Sequence, residues 1–312
     1  MRTPTRLLLL TATTALLAAA LAAPATAAGP AGVEPSTPSQ AAWVTVRSPG
    51  LTTSIPAAKD QGNTTGKLNR VIRKGVGRWQ VRFPGIGSGA VPQVVAMNTK
   101  PRRCQITGFG RNAARGYAWT NVACVRANNT PADTRFVVTT VRRGTSGDAA
   151  RFLGLAYADQ PTVAGPYLPS IRWNSLGGTV EVERVNTGYY SVNIETPLDD
   201  LRSIAVATAV SPAGQPRACQ VVGWSFAGVE SEERITVTCQ DGSGVRADSA
   251  FTLHYTVRGG LEGLLRGPNA SFWGDEATSP TPWVPDPTYD FSTANKPSKV
   301  AQLSTGVYRV TL

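Results

Sequence analysis

The chain carries one histidine, His254, and four cysteines, Cys104, Cys124, Cys219 and Cys239. Catalysis of the Ser-His-acid or Cys-His kind needs an imidazole held by an acid beside a nucleophile. His254 sits inside the alternating run Phe251–Val257, and the repeated position in the first half of the chain is Thr139. It reads as a strand surface residue and not as a base. The cysteines read as two disulfides, so no thiol is left for catalysis or for zinc. Their spacing is not the C-x-x-C of a redox motif. Carboxylate pairs can serve a glycosidase. Glu181 and Glu183 share a strand face, Asp199-Asp200 is a loop doublet, and Glu230, Glu232 and Glu233 crowd a hairpin. Each reads as solvated charge, and none has a counterpart in the first half. Gly85-Ile86-Gly87-Ser88-Gly89 follows Pro84 with no Lys after it, and reads as a turn. These residues predict no catalytic set, no cofactor and no metal site.

Binding chemistry is better represented. Arg111, Arg115, Tyr117 and Trp119 cluster between the first two cysteines. With period two, Tyr117, Trp119 and Asn121 share one strand face, and Thr120, Val122 and Cys124 share the other. If the second set points inward, the aromatics lie exposed beside Arg115. Aromatic rings next to Arg can stack on sugars or bases while the cations hold phosphate or carboxylate. The competing role for Trp119 is to cover a sheet edge or a neighbouring domain.

The elements that position these residues are repeated. Cys104-Gln105-Ile106-Thr107-Gly108-Phe109 recurs as Cys219-Gln220-Val221-Val222-Gly223-Trp224, and Cys124, Asp133 and Phe136 recur as Cys239, Asp248 and Phe251 at the same offset. Upstream, Gly77-Arg78-Trp79-Gln80-Val81-Arg82-Phe83 recurs as Gly188–Ile194 and again as Gly306–Leu312. The smaller offset upstream predicts one loop insertion, around Asp199 to Ser203. Trp283-Val284-Pro285 matches Tyr167-Leu168-Pro169, and Trp273 is expected where Tyr157 and Trp43 fall.

In each copy the Gly-x-aromatic-x-aliphatic stretch alternates as a half-buried strand does, with Trp79, Val81 and Phe83 inward and Arg78, Gln80 and Arg82 outward. Further runs at Trp43–Val46, Val71–Arg73, Gln93–Met97, Cys104–Phe109, Trp119–Val125 and Phe136–Arg142 give about seven short strands, separated by Gly, Pro and Asn. The fold class expected is all-β: tandem β-sandwiches of immunoglobulin-like size, with a small barrel as the alternative. The divisions are a signal peptide at 1–27, a linker at 28–42, a first domain at 43–146, a second at 149–258, a linker at 259–269 and a partial third copy at 270–312. That last piece is expected to be a truncation or a disordered stub, the alternative being a donated strand. Duplication favours the pairings Cys104–Cys124 and Cys219–Cys239, each closing a loop worth roughly 3 kcal/mol in the chain-entropy model.

Arg2 and Arg6, the apolar run Leu7–Ala23 and Ala25-Thr26-Ala27 make a secretory signal peptide, not a membrane span. Beyond it the chain keeps 29 basic and 20 acidic side chains, a net of +9. Residues 43–146 hold 17 basic and 2 acidic side chains, a net of +15, while 149–258 hold 8 and 11, a net of −3. Such a concentration of like charge costs stability through self-repulsion, which argues that it has a use. The repeated Gly-x-aromatic strand followed by Cys-Gln-(Ile/Val)-x-Gly-aromatic resembles the disulfide-bridged repeats of uncharacterised secreted proteins of high-GC Gram-positive bacteria. The resemblance spans 43–312 and implies neither an activity nor a ligand. The expectation is a secreted, non-catalytic protein that binds an anionic cell-envelope or extracellular polymer (teichoic acid, acidic glycan or DNA) through its first domain. Self-association between the basic first domain and the acidic second is the alternative, and a secreted hydrolase the third.

Overall fold

In the computed structural model the described residues are 39–312, apart from 99, 143–152, 197–202, 213, 227–231, 258–269, 275 and 277. The signal-peptide expectation falls outside them. No α-helix occurs among them, and no helix is long and apolar enough to cross a membrane.

The first domain contains β1 (Gln40–Val46), β2 (Thr53–Ser54), β3 (Gln61–Asn63), β4 (Arg70–Gly75), β5 (Arg78–Pro84), β6 (Val91–Ala96), β7 (Arg102–Asn112), β8 (Tyr117–Arg126) and β9 (Phe136–Arg142). The second contains β10 (Leu153–Ala158), β11 (Gly165–Tyr167), β12 (Ile171–Asn174), β13 (Val180–Asn186), β14 (Tyr189–Glu195), β15 (Ser203–Val210), β16 (Arg217–Phe226), β17 (Glu232–Asp241) and β18 (Ala250–Val257). A four-stranded sheet β3-β1-β9-β6 faces the run β7-β8-β5-β4-β2, and the same order recurs as β12-β10-β18-β15 facing β16-β17-β14-β13-β11. Both domains are β-sandwiches with nine strands, where about seven were expected. The short edge strands β2, β3, β11 and β12 account for the difference. Domain one also begins earlier than residue 43, because β1 buries Ala41 and Ala42.

The alternation in β5 and β14 holds. Trp79, Val81 and Phe83 are fully buried, as are Tyr190, Val192 and Ile194. The leading aromatic packs on a phenylalanine across the sandwich, Trp79 on Phe136 at 5.1 Å and Tyr190 on Phe251 at 5.2 Å. Its polar tip reaches a proline carbonyl at 3.1 Å in each case, Pro49 from the indole N–H and Pro161 from the phenol. Burying such a tip without a partner would be costly.

Cys104–Cys124 and Cys219–Cys239 are formed as expected, across directly opposed residues of neighbouring antiparallel strands, β7–β8 and β16–β17. Two residues on, both strands shift register at the motif glycine, between Ile106 and Gly108 and between Val221 and Gly223. That is a β-bulge. A clasp closes the β4–β5 turn in the first domain and the β13–β14 turn in the second. Asp133 accepts from the Gly77 N–H at 2.9 Å and from Arg73 Nη2 at 2.8 Å, and Asp248 accepts from the Gly188 N–H and from Arg184 Nη2, each at 2.9 Å. Burial works to raise both carboxyls, but the arginine and the backbone donor outweigh it and hold them below their ordinary value. Gly77 and Gly188 are glycines because φ is +67° and +63° there, and a Cβ would strike the carbonyl of Cys124 or Cys239.

The expected single loop insertion is in fact two. Val94 opposes Val138, and Ala207 opposes Leu253, so β6 and β15 are offset by 113 residues, between the 111 of β5 and β14 and the 115 of β7 and β16. Two residues enter before β15 and two more after it. Nor does Trp43 align with Tyr157. Trp43 opposes Thr139 as Leu155 opposes His254, which leaves Thr45 at the Tyr157 register.

Residues 39–312 fall in one contact unit, Pro35–Leu312. β15 joins β7 in parallel through Val210 and Ile106, which makes a nine-stranded sheet running through both sandwiches. β6 lies across the outer face of β10, β15 and β18. Thr252 donates to the Pro92 carbonyl at 2.7 Å, and the Val94 N–H donates to Thr208 Oγ1 at 3.2 Å. Phe109, the aromatic that closes the Cys-Gln motif, meets Tyr157 edge-on at 4.9 Å.

Residues 270–312 form two hairpins, β19 (Ala270–Phe272) with β20 (Asp290–Ser292) and β21 (Lys299–Ser304) with β22 (Val307–Thr311). Trp224 meets Trp273 edge-on at 4.8 Å, the same junction that Phe109 makes with Tyr157. Trp283 bridges Val300 as Tyr167 pairs with Val182, in line with the sequence match. Tyr308 and Val310, at the register of Trp79 and Val81, are exposed.

Candidate functional site

The outer face of the first domain's β4-β5-β8-β7 region is built from residues that alternate with the core. Ala118, Thr120, Val122 and Cys124 of β8 are buried, which turns Tyr117, Trp119 and Asn121 outward, half-buried. On β5 the outward set is Arg78, Gln80, Arg82 and Pro84. Registry places Arg82 opposite Trp119, Pro84 opposite Tyr117 and Gln80 opposite Asn121. Arg70 of β4 stands beside Arg82.

The side chains form one connected surface. The Arg82 guanidinium lies 4.8 Å from the centroid of the Tyr117 ring. Its Nε donates to Gln80 Oε1 at 2.8 Å, and Gln80 Nε2 donates to Asn121 Oδ1 at 3.3 Å. Trp119 lies over the backbone of β7 at Gly108 and Gly110, where a Cβ would come within 3.7 and 3.3 Å of the indole. Gly110 therefore lets the ring rest on the sheet, whereas a Cβ at Gly108 would meet it at ordinary van der Waals distance. No acidic residue of the first domain shares this face. The only two carboxylates of residues 43–146 are spent elsewhere, Asp60 on Arg47 at 2.6 Å and Asp133 on Arg73. The basic side chains of the face thus have no acid to neutralise them within the domain.

Of the four residues singled out from the sequence, Tyr117 and Trp119 are on this face. Arg115 is exposed at the β7–β8 turn beside it. Arg111 is exposed but opposes Ala118, so it has the parity of the inner face and stands apart from Trp119. The residue that completes the site is Arg82. Its outward parity was readable in the Trp79-x-Val81-x-Phe83 alternation, but its contact with Tyr117 depends on β5 pairing with β8, which the sequence does not display.

Two groups expected at the surface are buried instead. His254 is fully buried between the domains, because β6 covers its strand face. Its Nε2 donates to the Val91 carbonyl at 2.8 Å, and its Nδ1 has no hydrogen-bond partner among the described residues. Burial holds the imidazole down at about 4, with the Val91 carbonyl opposing. Glu233 points into the second sandwich at the register of Ala118, one residue past the outward-facing Glu232. Burial pushes its carboxyl up to about 7, with a hydrogen bond from Tyr255 opposing. Glu181 and Glu183 do share an outward strand face. Asp199, Asp200 and Glu230 lie outside the described residues. Among those described, no group of three or more His, Cys, Asp or Glu side chains could hold a metal ion.

Searches against protein-family models, curated proteins and solved structures find no match for this chain.

Proposed function

We propose that this is a secreted, non-catalytic protein that binds an anionic polymer of the cell envelope or its surroundings on the outer sheet face of the first sandwich. The observation that carries the proposal is the Arg82 guanidinium stacked on Tyr117 beside a Trp119 resting on glycine backbone, on a face where its own domain places no carboxylate. Rings of that kind accept a sugar or base, and the unneutralised cations accept the phosphates or carboxylates between them. Two disulfides fit an oxidising extracellular compartment. Teichoic acid, an acidic glycan and DNA share the chemistry required. Retention of the protein on columns of each, at two salt concentrations, tests it. Binding that weakens with salt and is lost in Arg82→Gln/Trp119→Ala supports the proposal, and passage through all three columns at low salt refutes it.

A second reading is supported by the matching face of the second sandwich, where Glu181, Glu183, Glu195 and Glu232 point outward. A basic face on one molecule could pair with this acidic face on another. Such assembly would dissolve in salt, since exposed charges are screened within about 10 Å at 0.1 M. Gel filtration at low and high salt separates the two readings.

A further inference from the structure

His254 is buried by the joint between the sandwiches and not by the core of its own domain. Phe251, Leu253, Tyr255 and Val257 of β18 turn into the second core, which leaves Thr252, His254 and Thr256 on the outer face that β6 covers. Separating β6 from that face would return the imidazole to water with both sandwiches intact.

The joint offers an added proton on His254 no partner. Nε2 already donates to the Val91 carbonyl at 2.8 Å, so the proton would go to Nδ1, which has no hydrogen-bond partner among the described residues. Leu155 of β10 and Val206 of β15 flank the ring across the sheet. The elements packed on this face carry no carboxylate, and Tyr157 is the one titratable side chain in β6, β10 and β15. Of the strands next in line, β1 holds no charged residue. Arg142 of β9 shares the parity of Phe136 and Val138 in the first core, and Arg172 of β12 opposes Ala156 in the second, so both cations turn away from the ring. A protonated His254 is therefore buried without a counter-ion among the described residues, and reaching water relieves such a charge.

The rest of the seam resists opening only weakly. Thr252 and Thr208 bond to β6, but Gln93 Nε2, Thr139 Oγ1 and Thr256 Oγ1, buried on the outer faces of these sheets, have no partner among the described residues. Each gains a bond to water on opening, which sets the cost of parting below that of unfolding either core.

We propose that the joint is proton-sensitive: a proton on His254 parts β6 from the outer face of β10, β15 and β18 while both sandwiches stay folded. The docked ring takes its proton at about 4 and the released ring at the ordinary 6.5. The docked-to-open ratio therefore falls as pH falls through that window, by about 100-fold between pH 7 and 4.

The Val94 N–H reports on the seam, because its acceptor, Thr208 Oγ1, belongs to the other domain. Amide exchange of the full chain, followed by NMR from pH 7 to 4 and corrected for the intrinsic pH dependence of exchange, reads its protection. In the parent, protection at Val94 should fall by about 100-fold over this range and stay below that of the β14 amides in the second core. His254→Gln should hold it constant to within about threefold. Glu233→Gln should follow the parent, since Glu233 stays in the core whether the joint is docked or open. Should His254→Gln lack protection already at pH 7, His254→Thr takes its place, because the first domain carries Thr139 at that register. The proposal is overturned if Val94 protection is flat in the parent, if it falls equally in the histidine variant, if Glu233→Gln abolishes the fall, or if Val94 and β14 are equally protected throughout, which would make the opening a global unfolding.

Discussion

The two sandwiches share a core and differ in their outer faces. Position by position, Trp79, Val81, Phe83, Phe136 and Cys124 of the first become Tyr190, Val192, Ile194, Phe251 and Cys239 of the second, all buried. On the opposite side of the same strands, Arg70 becomes Glu181, Ile72 becomes Glu183, Arg82 becomes Asn193, Tyr117 becomes Glu232 and Trp119 becomes Arg234. Gly110, on which Trp119 rests, becomes Ser225, opposite which Arg234 stands in place of the tryptophan. Core positions must fill a fixed space, so most keep a similar volume, Ala118 against the buried Glu233 being the exception. Outer positions need only stay in water, and here three of the five become glutamate, while Arg82 gives way to Asn193 and Trp119 to Arg234. The scaffold is therefore common to the two domains, and the surface chemistry is particular to each.

The buried titratable groups of the second sandwich should give the largest effect. His254 has its pKa depressed from 6.5 to about 4. The unfolded chain takes up this proton first, so stability is lost as pH falls from about 6.5 to about 4. Glu233 has its pKa raised from 4.5 to about 7. The folded chain takes up this proton first, so stability is lost as pH rises from about 4.5 to about 7. Each shift is worth about 3 kcal/mol at 1.36 kcal/mol per unit, and between pH 4.5 and 6.5 they oppose. Glu233→Gln should reveal melting temperatures that climb from pH 4 to 6.5, and His254→Gln should reveal a decline from pH 4.5 to 7. The first domain, with Thr139 and Ala118 at these registers, should contribute no such limbs. Flat profiles in both variants would contradict the burial of these groups.

The clasps come next, and the one in the second domain should be the stronger. Asp133→Ala and Asp248→Ala each strand an arginine and a glycine N–H, at a cost of about 2–3 kcal/mol, and Asp248→Ala also takes an acceptor from the buried Tyr190 hydroxyl, which lies 3.1 Å from it. Urea unfolding of the two variants checks this, and a negligible loss in either would show that its clasp does not hold the turn. The junction is smaller still. Phe109→Ala removes the edge contact with Tyr157 and should cost about 1–2 kcal/mol. Trp224→Ala removes the matching contact with Trp273 and should also expose residues 270–312 to proteolysis. Limited digestion that leaves this segment intact would argue against that contact.

Much of this was legible in the sequence because it was written twice. The Cys-Gln-x-x-Gly-aromatic motif and the Gly-x-aromatic strand located the disulfides, the core and the inward and outward parity of Tyr117 and Trp119. What the motif's last residue does was not legible. Phe109 and Trp224 touch the following unit, and a contact between units leaves no periodic trace within either. The clasp was present as an arginine four residues before the turn glycine, Arg73 and Arg184, but Lys74-Gly75-Val76 and Val185-Asn186-Thr187 between them share no identity. β2 and β3 are too short for alternation to register. His254 looked solvent-facing because strand parity separates only the two faces of a sheet, and its outward face is covered by β6. Glu233 was misread because three glutamates near a hairpin suggest solvated charge, whereas its register opposite Ile194 turns it inward. Arg82 was seen to face outward, yet its place beside Tyr117 follows from a strand pairing between segments about 35 residues apart, which no local pattern encodes.

The difference between the two outer faces is tested most directly by the salt dependence of heparin binding. The parent protein, Arg82→Gln/Tyr117→Ala/Trp119→Ala and the second-domain control Glu181→Gln/Glu232→Gln would be compared by titration from 50 to 200 mM salt. The slope of log affinity against log salt counts the anionic groups engaged, at roughly 0.7 to 0.9 per contact in the case of nucleic acids. A first-domain binding face requires the triple variant to lose at least about tenfold in affinity and one unit of slope, with the control matching or exceeding the parent. Equal affinity and slope in the parent and the triple variant would contradict it.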